Sequence, residues 1–370
     1  MAKNWKLGED SALSFIFYGR GGMNTEWDSG QSVLFDPAPG NAFSPGIINP
    51  SGVYGGGKAG VDLMQAFMSV SYAAKIGDNF SWGIGPVVAV QTFEATGMSN
   101  FAGYTQTFAN VFPVYFGGCL QGGGDADLCQ LQASGQAAED VTSLTNNGHD
   151  SSVGYGASIG FWTGSDTLSF GLAYQTKMSM DEFSDYSDLY AKSGGFDIPS
   201  TLKAGVSYKM ADDLTVNVDY ERIGYDEIDS VSNPIMNLLT GCYTANPQVT
   251  PATDGCLGGP NGAGFGWDAM TVYKLGLAWN ADDKNTWRFG YSYGEQPIPT
   301  SEMLFNIMAP GVMEQHFTIG WTSERASGNV MSLALMYAPS KKVAGTSTFD
   351  PTQTIELEMS QIDLEFAYRF

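Results

Sequence analysis

Apolar and polar residues alternate with a period of two along much of this chain. Leu168, Phe170, Leu172 and Tyr174 interleave with Ser169, Gly171, Ala173 and Gln175. Leu202, Ala204, Val206 and Tyr208 interleave with Lys203, Gly205, Ser207 and Lys209, and Trp287, Phe289, Tyr291 and Tyr293 with Arg288, Gly290, Ser292 and Gly294. Successive side chains on a strand point to opposite sides, so each run is a strand with one apolar and one polar face. The same criterion predicts strands at 11–18, 63–75, 80–93, 153–162, 167–177, 201–209, 214–222, 270–279, 286–294, 315–323, 330–338 and 355–370, about twelve in all. In the last of them Ile362, Leu364, Phe366, Tyr368 and Phe370 alternate with Asp363, Glu365, Ala367 and Arg369 up to the final residue. A soluble protein ending this way would expose a sticky edge, whereas the last strand of an outer-membrane barrel pairs with the first and closes the wall.

The connections follow a rhythm of their own. Tight turns rich in Gly, Asp and Asn are predicted at 76–79, 163–166, 210–213, 280–285 and 324–329. Long loops fall between them, at 19–62, 94–152, 178–200, 223–269, 295–314 and 339–354. Short turns on one side and long loops on the other is the layout of an antiparallel transmembrane β-barrel, with the turns periplasmic and the loops extracellular. The fold class is therefore all-β, and residues 1–370 read as one barrel domain.

Composition agrees. Only 15% of the 370 residues are charged, 13% are aromatic and 47 are glycine. Mean hydropathy is −0.12, as expected when half of each strand faces a polar lumen. No run of about 18 apolar residues exists to make a transmembrane helix. A net charge of −22 argues against nucleic acid as a partner, since phosphate binding needs basic patches. The opening stretch 1–10 is polar and short, with no signal-peptide pattern. An outer-membrane protein needs such a signal, so the chain reads as processed or truncated at its start.

Four cysteines sit in two of the long loops: Cys119 and Cys129 in one, Cys242 and Cys256 in the other. Three pairings are possible. Pairing within each loop is the simplest, and oxidation suits a chain that crosses the periplasm. Zinc is the rival, but paired CxxC spacing is missing and His149 and His316 are the only histidines. The same scarcity leaves no recognisable Ser–His or Asp–His pair for an enzyme barrel. No cofactor motif is present.

Several segments together resemble the FadL/OmpP1/TodX family of outer-membrane transporters for long-chain fatty acids and other hydrophobic compounds. They are GRGGMNTEW at 19–27, GKAGVDLMQAFMSVSYAAKI at 57–76, QTFEATGMSNF at 91–101, MSMDEFSDYSDLYAKSGGFDIPSTLKAGVSYK at 178–209, GWDAMTVYKLGLAW at 266–279 and PIPTSEMLFNIMAPGVMEQHFTIGW at 297–321. The resemblance implies a bacterial outer-membrane barrel of fourteen strands with an N-terminal hatch and a lateral opening. It implies passive diffusion of hydrophobic cargo, monomeric action, insertion by the barrel assembly machinery and a surround of lipid and lipopolysaccharide. The hatch and the first two strands of the family find no counterpart before Ser11. The alternative functions are a general porin or, less favoured, an outer-membrane enzyme barrel.

The resemblance makes the loops 19–62 and 94–152 the outer capture groove. Their apolar residues are then the candidate ligand contacts: Phe35, Phe43, Ile47 and Ile48 in one, Phe101, Phe108, Phe112, Tyr115 and Phe116 in the other. The plain alternative is that these aromatics pack the loops against each other. Gly19, Gly21 and Gly22 end a strand whose family counterpart is kinked to make the lateral opening; glycine at a strand end marks a bulge or kink. Strand parity sends Lys203, Lys209, Asp219, Glu221, Lys274, Arg288 and His316 into the lumen. Lys274 and Arg288, on adjacent strands, are the candidates to hold a fatty-acid carboxylate. The acidic stretch 181–188 reads as a solvated helix face rather than a metal site.

Overall fold

The computed structural model describes residues 1–20, 22–28, 54, 57–242, 253–325, 328–349 and 353–369. The strands are β1 (Ala2–Lys6), β2 (Ser11–Arg20), β3 (Asn24–Trp27), β4 (Ala59–Ile76), β5 (Phe80–Thr96), β6 (Asp150–Gly164), β7 (Leu168–Gln175), β8 (Ser179–Met180), β9 (Thr201–Ala211), β10 (Leu214–Ile223), β11 (Met270–Asn280), β12 (Asn285–Gly294), β13 (Gln315–Glu324), β14 (Val330–Thr346) and β15 (Thr354–Arg369). Every segment read as a strand from its alternation is one. β1, β3 and β8 fall where the pattern predicts none. Five residues in β1 and two in β8 are too few to display a period, and β1 carries Lys3, Asn4 and Lys6.

One 15-stranded antiparallel sheet contains them all. Its path is β1-β2-β4-β5-β6-β7-β9-β10-β11-β12-β13-β14-β15, with β3 added to β4 and β8 to β6. Sequential neighbours therefore pair as a meander, which is barrel-wall topology. Among the described residues β15 pairs with β14 alone, so the expected ladder from the last strand back to the first is not formed between β15 and β1. The final residue, Phe370, lies outside the described residues.

The registers put like faces together. Tyr220 opposes Tyr273, Trp287 opposes Trp321 and Tyr291 opposes Phe317, with ring centroids 5.7, 6.2 and 5.0 Å apart. These rows lie on the outer face, where Met64, Met68, Tyr155, Leu275, Phe289, Leu335 and Leu364 are also exposed. Such an apolar outside is costly in water and favourable in lipid. No described helix is long and apolar enough to cross a membrane. On the other face the ladder runs Lys203–Glu221 and Asp219–Lys274, the lumen assignment that parity predicts.

The largest apolar core belongs mainly to the loops. Phe101, Phe183, Tyr186, Tyr190, Phe196, Val231, Leu257, Phe265, Leu304 and Met308 gather over the inward-facing Val61, Leu63, Phe93 and Ala95 of β4 and β5. Burying each of these large side chains contributes roughly 1.5–3 kcal/mol. The long loops thus fold into a packed cap at one end of the wall. The stretch 181–188 is part of that cap and not a solvated helix face. Ser184–Tyr186 forms a single 3-10 turn, and Phe183, Tyr186 and Asp188 are buried. Alternation of acidic residues with Phe183 and Tyr186 brings the aromatic rings inward.

Candidate functional site

Loop 94–152 is not an irregular capture loop. After a 3-10 turn at Ser99–Tyr104 it forms a helical hairpin, α1 (Gln106–Gln121) and α2 (Ala126–Glu139). The Thr105 hydroxyl accepts from the amide of Phe108, and the Asp125 carboxylate accepts from the amides of Asp127 and Leu128, so both N-termini are capped. Phe108, Phe112 and Phe116 recur every four residues and stack, with centroids 5.6 and 5.8 Å apart. Four-residue spacing places side chains on one helix face. Phe108 and Phe112 are buried against Ala133 and Ala137 of α2, with Tyr115 and Phe116 half-buried at the edge. The Tyr115 hydroxyl donates to Asp140. Cys119 and Cys129 are bonded across the hairpin, and Cys242 and Cys256 across the loop beside it. Of the aromatics expected to form the capture surface, Phe112 therefore packs the hairpin and Phe101 is turned into the cap. Phe35, Phe43, Ile47 and Ile48 lie outside the described residues.

Inside the cap is a narrow apolar cavity with about 40 Å³ of accessible space. Stretches far apart in the sequence build it. Val61 and Phe93 come from β4 and β5; Met98 and Phe101 from the turn before α1; Leu189 and Tyr190 from the loop after β8. Ser230, the stretch from Leu257 to Phe265 with Ala263 and Gly264, and Phe305 with Met308 close the far side, beside Tyr54. A Cβ on Gly264 would lie 2.5 Å from the Ser230 carbonyl oxygen, so only glycine lets these two loops approach.

Buried polar side chains fix these segments to one another. Asn306 donates to the carbonyls of Phe265 and Glu302, both at 2.7 Å, and accepts from the Trp267 indole at 2.6 Å. The Glu302 carboxylate accepts from the amide of Ile235 at 2.8 Å. Gln91 accepts from Gln65 at 3.0 Å and donates to the Phe196 carbonyl at 2.8 Å. None of these was singled out from the sequence. An Asn, Glu or Gln in a loop or strand carries no signal until its partners are known.

The polar lining of the cavity is sparse. The Tyr54 hydroxyl donates to the Leu304 carbonyl and the Ser230 hydroxyl to that of Gly195. The Tyr190 hydroxyl is buried with no hydrogen-bond partner. Burial pushes both phenols far above the ordinary tyrosine range, so they remain protonated donors. No lysine, arginine or histidine lines the cavity among the described residues.

The proposed carboxylate holders lie elsewhere. Lys274 donates to Glu221 at 2.6 Å, and Lys203 sits 3.2 Å from the same carboxylate. Lys274 faces Ser292 in the ladder while Arg288 faces Ala278, so the two cations are separated along the wall rather than paired. Arg288 donates to Thr322. Below the cap the lumen wall mixes serines such as Ser71, Ser158 and Ser207 with glycines and alanines, Lys203 and Asp219, and most of its accessible lining is apolar.

The glycine run coincides with an irregularity in the ladder. From Arg20–Gln65 to Asn24–Asp62, the β2–β3 side advances four residues, 20 to 24, while β4 advances three, 65 to 62. One extra residue is a bulge. Gly22 sits against Leu63 there; Gly19 is spacious, and Gly21 lies outside the described residues.

A lipid-compatible β-wall closed at one end by a loop-built cap around an apolar cavity defines a channel-like protein of the bacterial outer membrane. Residues 17–360 match the model of the outer membrane protein transport family (OMPP1/FadL/TodX), and the chain belongs to that family. Among solved structures it is similar to the P. putida toluene transporter TodX (13% identity, TM-score 0.55, covering 99% of this chain and 80% of that one). It is likewise similar to the Ralstonia pickettii toluene transporter TbuX (15% identity, TM-score 0.53, 99% and 79%) and to a Pseudomonas aeruginosa FadL homologue (11% identity, TM-score 0.55, 99% and 75%). At these identities the likeness is one of fold. No curated protein matches the chain.

Proposed function

We propose that this protein admits hydrophobic small molecules through the outer membrane by passive diffusion, holding them in the cap cavity on the way. The observation that carries this reading is the cavity itself: apolar on nearly every side, built by stretches far apart in the sequence, and placed where the loops close the barrel. Apolar contact is the main source of affinity for such cargo. The solved relatives named for toluene transport favour aromatic hydrocarbons as one cargo class; long-chain fatty acids are the other.

The exit follows from the same surfaces. The bulge at Gly22 distorts the wall beside the cap, and its yielding there would give lateral passage to the bilayer. The chain acts as a monomer and as a single barrel domain, without chemistry on its cargo.

Mass spectrometry of organic extracts from the purified, folded protein tests the reading. A co-purifying hydrophobic compound in near-stoichiometric amount is expected. An empty extract combined with large steady ion currents in a planar bilayer would favour an aqueous pore instead.

A further inference from the structure

A roomier recess lies on the outer side of the wall, at its cap end. It holds about 550 Å³ of accessible space, against about 40 Å³ in the cap cavity. Tyr220, Tyr273 and Tyr293 line it as one row across β10, β11 and β12. Each follows or precedes a lumen-facing neighbour (Glu221, Lys274, Ser292), so the three tyrosines face lipid. Tyr273 and Tyr293 are exposed, and Tyr220 is half-buried beside Tyr273. The segment 295–300 forms the other side, and its shape is preset. The Gln296 amide donates to the Ile298 carbonyl at 3.0 Å and accepts from the Ile298 N–H at 2.8 Å. The Asp268 N–H donates to the Pro297 carbonyl at 2.9 Å. Ile298 itself is buried among Met303, Val312, Val343 and Leu357.

The charge of the recess has one sign. Asp268 and Glu295 contribute two carboxylates, and no lysine, arginine or histidine lines it among the described residues. Neither carboxylate has a hydrogen bond or ion pair among those residues. Acids close by are matched: Glu314 by Lys341 at 2.7 Å, and Asp226 by Arg222 at 3.7 Å. Arg222, opposite Thr271 in the ladder, is thereby committed. One row further from the cap, the same outer face continues as Val218, Leu275 and Tyr291, all exposed.

We propose that this recess binds the ammonium head of an amphiphile whose chain lies along Val218, Leu275 and Tyr291. Tyrosine faces attract an organic cation, and carboxylates attract it further, with less screening beside lipid than in open water. The Thr271 and Thr300 hydroxyls supply donors for an adjoining phosphate or ester oxygen. Tyrosines at a membrane interface are common; the two unmatched carboxylates give this row a preference for a cation. An anionic head is repelled by them. A soluble amine gains the head contacts and forgoes the apolar row. The site is separate from the cap cavity, so its test stands apart from the cargo reading.

Lipid retention tests this. The protein is reconstituted in vesicles of equal phosphatidylcholine and phosphatidylglycerol with identical chains, extracted in a maltoside detergent in sodium chloride buffer, and repurified. Its retained lipids are then counted by mass spectrometry. The two lipids share phosphate and tails, and only phosphatidylcholine carries an ammonium. Wild type is expected to retain about one phosphatidylcholine, enriched about tenfold over phosphatidylglycerol, the scale of a desolvated cation on aromatic rings. Asp268→Asn/Glu295→Gln is expected to bring the two lipids within about twofold, and Tyr273→Leu to lower phosphatidylcholine alone. Equal retention of the two lipids by wild type overturns the inference. So does an enrichment that survives in Asp268→Asn/Glu295→Gln, which would assign it to the net charge of the whole chain. Choline chloride equimolar with the lipid is expected to leave the lipid in place; displacement would make a soluble amine the ligand and overturn the amphiphile assignment. Should the variants not fold, nuclear Overhauser transfer in wild type from the lipid N-methyl protons to tyrosine ring protons decides, and its absence refutes the contact.

Discussion

A Cβ placed on Gly22 would lie 1.6 Å from the carbonyl oxygen of Leu63, a separation no side chain can occupy. The same construction on Gly19, three residues earlier, meets nothing closer than the Gln65 oxygen at 3.8 Å. The bulge between β2 and β3 therefore depends on one glycine and tolerates change at the other. Gly22→Ala should displace the backbone at a cost of about 1–3 kcal/mol and reduce uptake of a labelled hydrophobe by whole cells. Gly19→Ala should be near neutral in both. Equal uptake by the two variants, with both barrels folded by heat-modifiable gel mobility, would remove the bulge from the exit route.

Glu221 holds two lysines at once, Lys274 and Lys203, with its own side chain only 10% exposed. Lys274 is thus committed to the wall and is a poor receptor for cargo. Lys274→Met should leave the affinity for neutral hydrophobes within about twofold, and cost about 1 kcal/mol in stability because the lysine is itself half exposed. Glu221→Gln should free both cations and shift the reversal potential of any residual bilayer current toward anion selectivity. Loss of hydrophobe binding in Lys274→Met would restore that residue to the site.

The strands were legible because a two-residue period repeats over eight or more residues, as in Leu168–Gln175. The lumen side of Lys203, Glu221 and Lys274 followed from the same parity. The cap was not legible. Its cavity joins Phe93, Phe101, Tyr190, Leu257 and Met308 across more than two hundred positions, and no local pattern encodes such a meeting. One missed element did leave a trace. Phe108, Phe112 and Phe116 stand four apart behind a capping Thr105, a helix signature hidden by reading aromatics in a loop as a capture surface. The short β1 lacked enough residues for a period to show.

The Cys242–Cys256 bond closes a loop of sequence separation 14, and both sulfurs are buried against Ala109 of α1. In the loop-entropy account such a bond contributes about 3 kcal/mol. Here it ties the segment that delivers Leu257 and Phe265 to the cavity. Replacing both residues by serine should leave the barrel folded but loosen the cap, seen as faster protease cleavage near 243–256 and weaker hydrophobe binding. Replacing Cys119 and Cys129, which clamp the outer end of the hairpin away from the cavity lining, should speed cleavage near 122–125 without changing binding. Identical binding defects in the two variants would contradict this division.

His149 sits between two carboxylates, with Nε2 3.2 Å from Asp62 and Nδ1 3.0 Å from Glu94. Asp62 and Glu94 are direct cross-strand partners at the rim of β4 and β5, and like charges so placed repel. The imidazole bridges them and anchors the segment between α2 and β6. Asn146 and Thr145 reinforce the anchor by donating to the Ala95 carbonyl. His149→Ala should therefore do more than delete a contact, because it leaves the two carboxylates facing each other. Removing one of them as well should relieve part of the damage. The double variant His149→Ala/Asp62→Asn is expected to be more stable than His149→Ala by about 0.5–1 kcal/mol, the usual worth of an exposed charge pair. The cleavage rate between α2 and β6 reads the effect locally, and thermal unfolding reads it globally. A double variant no more stable than the single would show that the rim is held by the Ala95 hydrogen bonds alone.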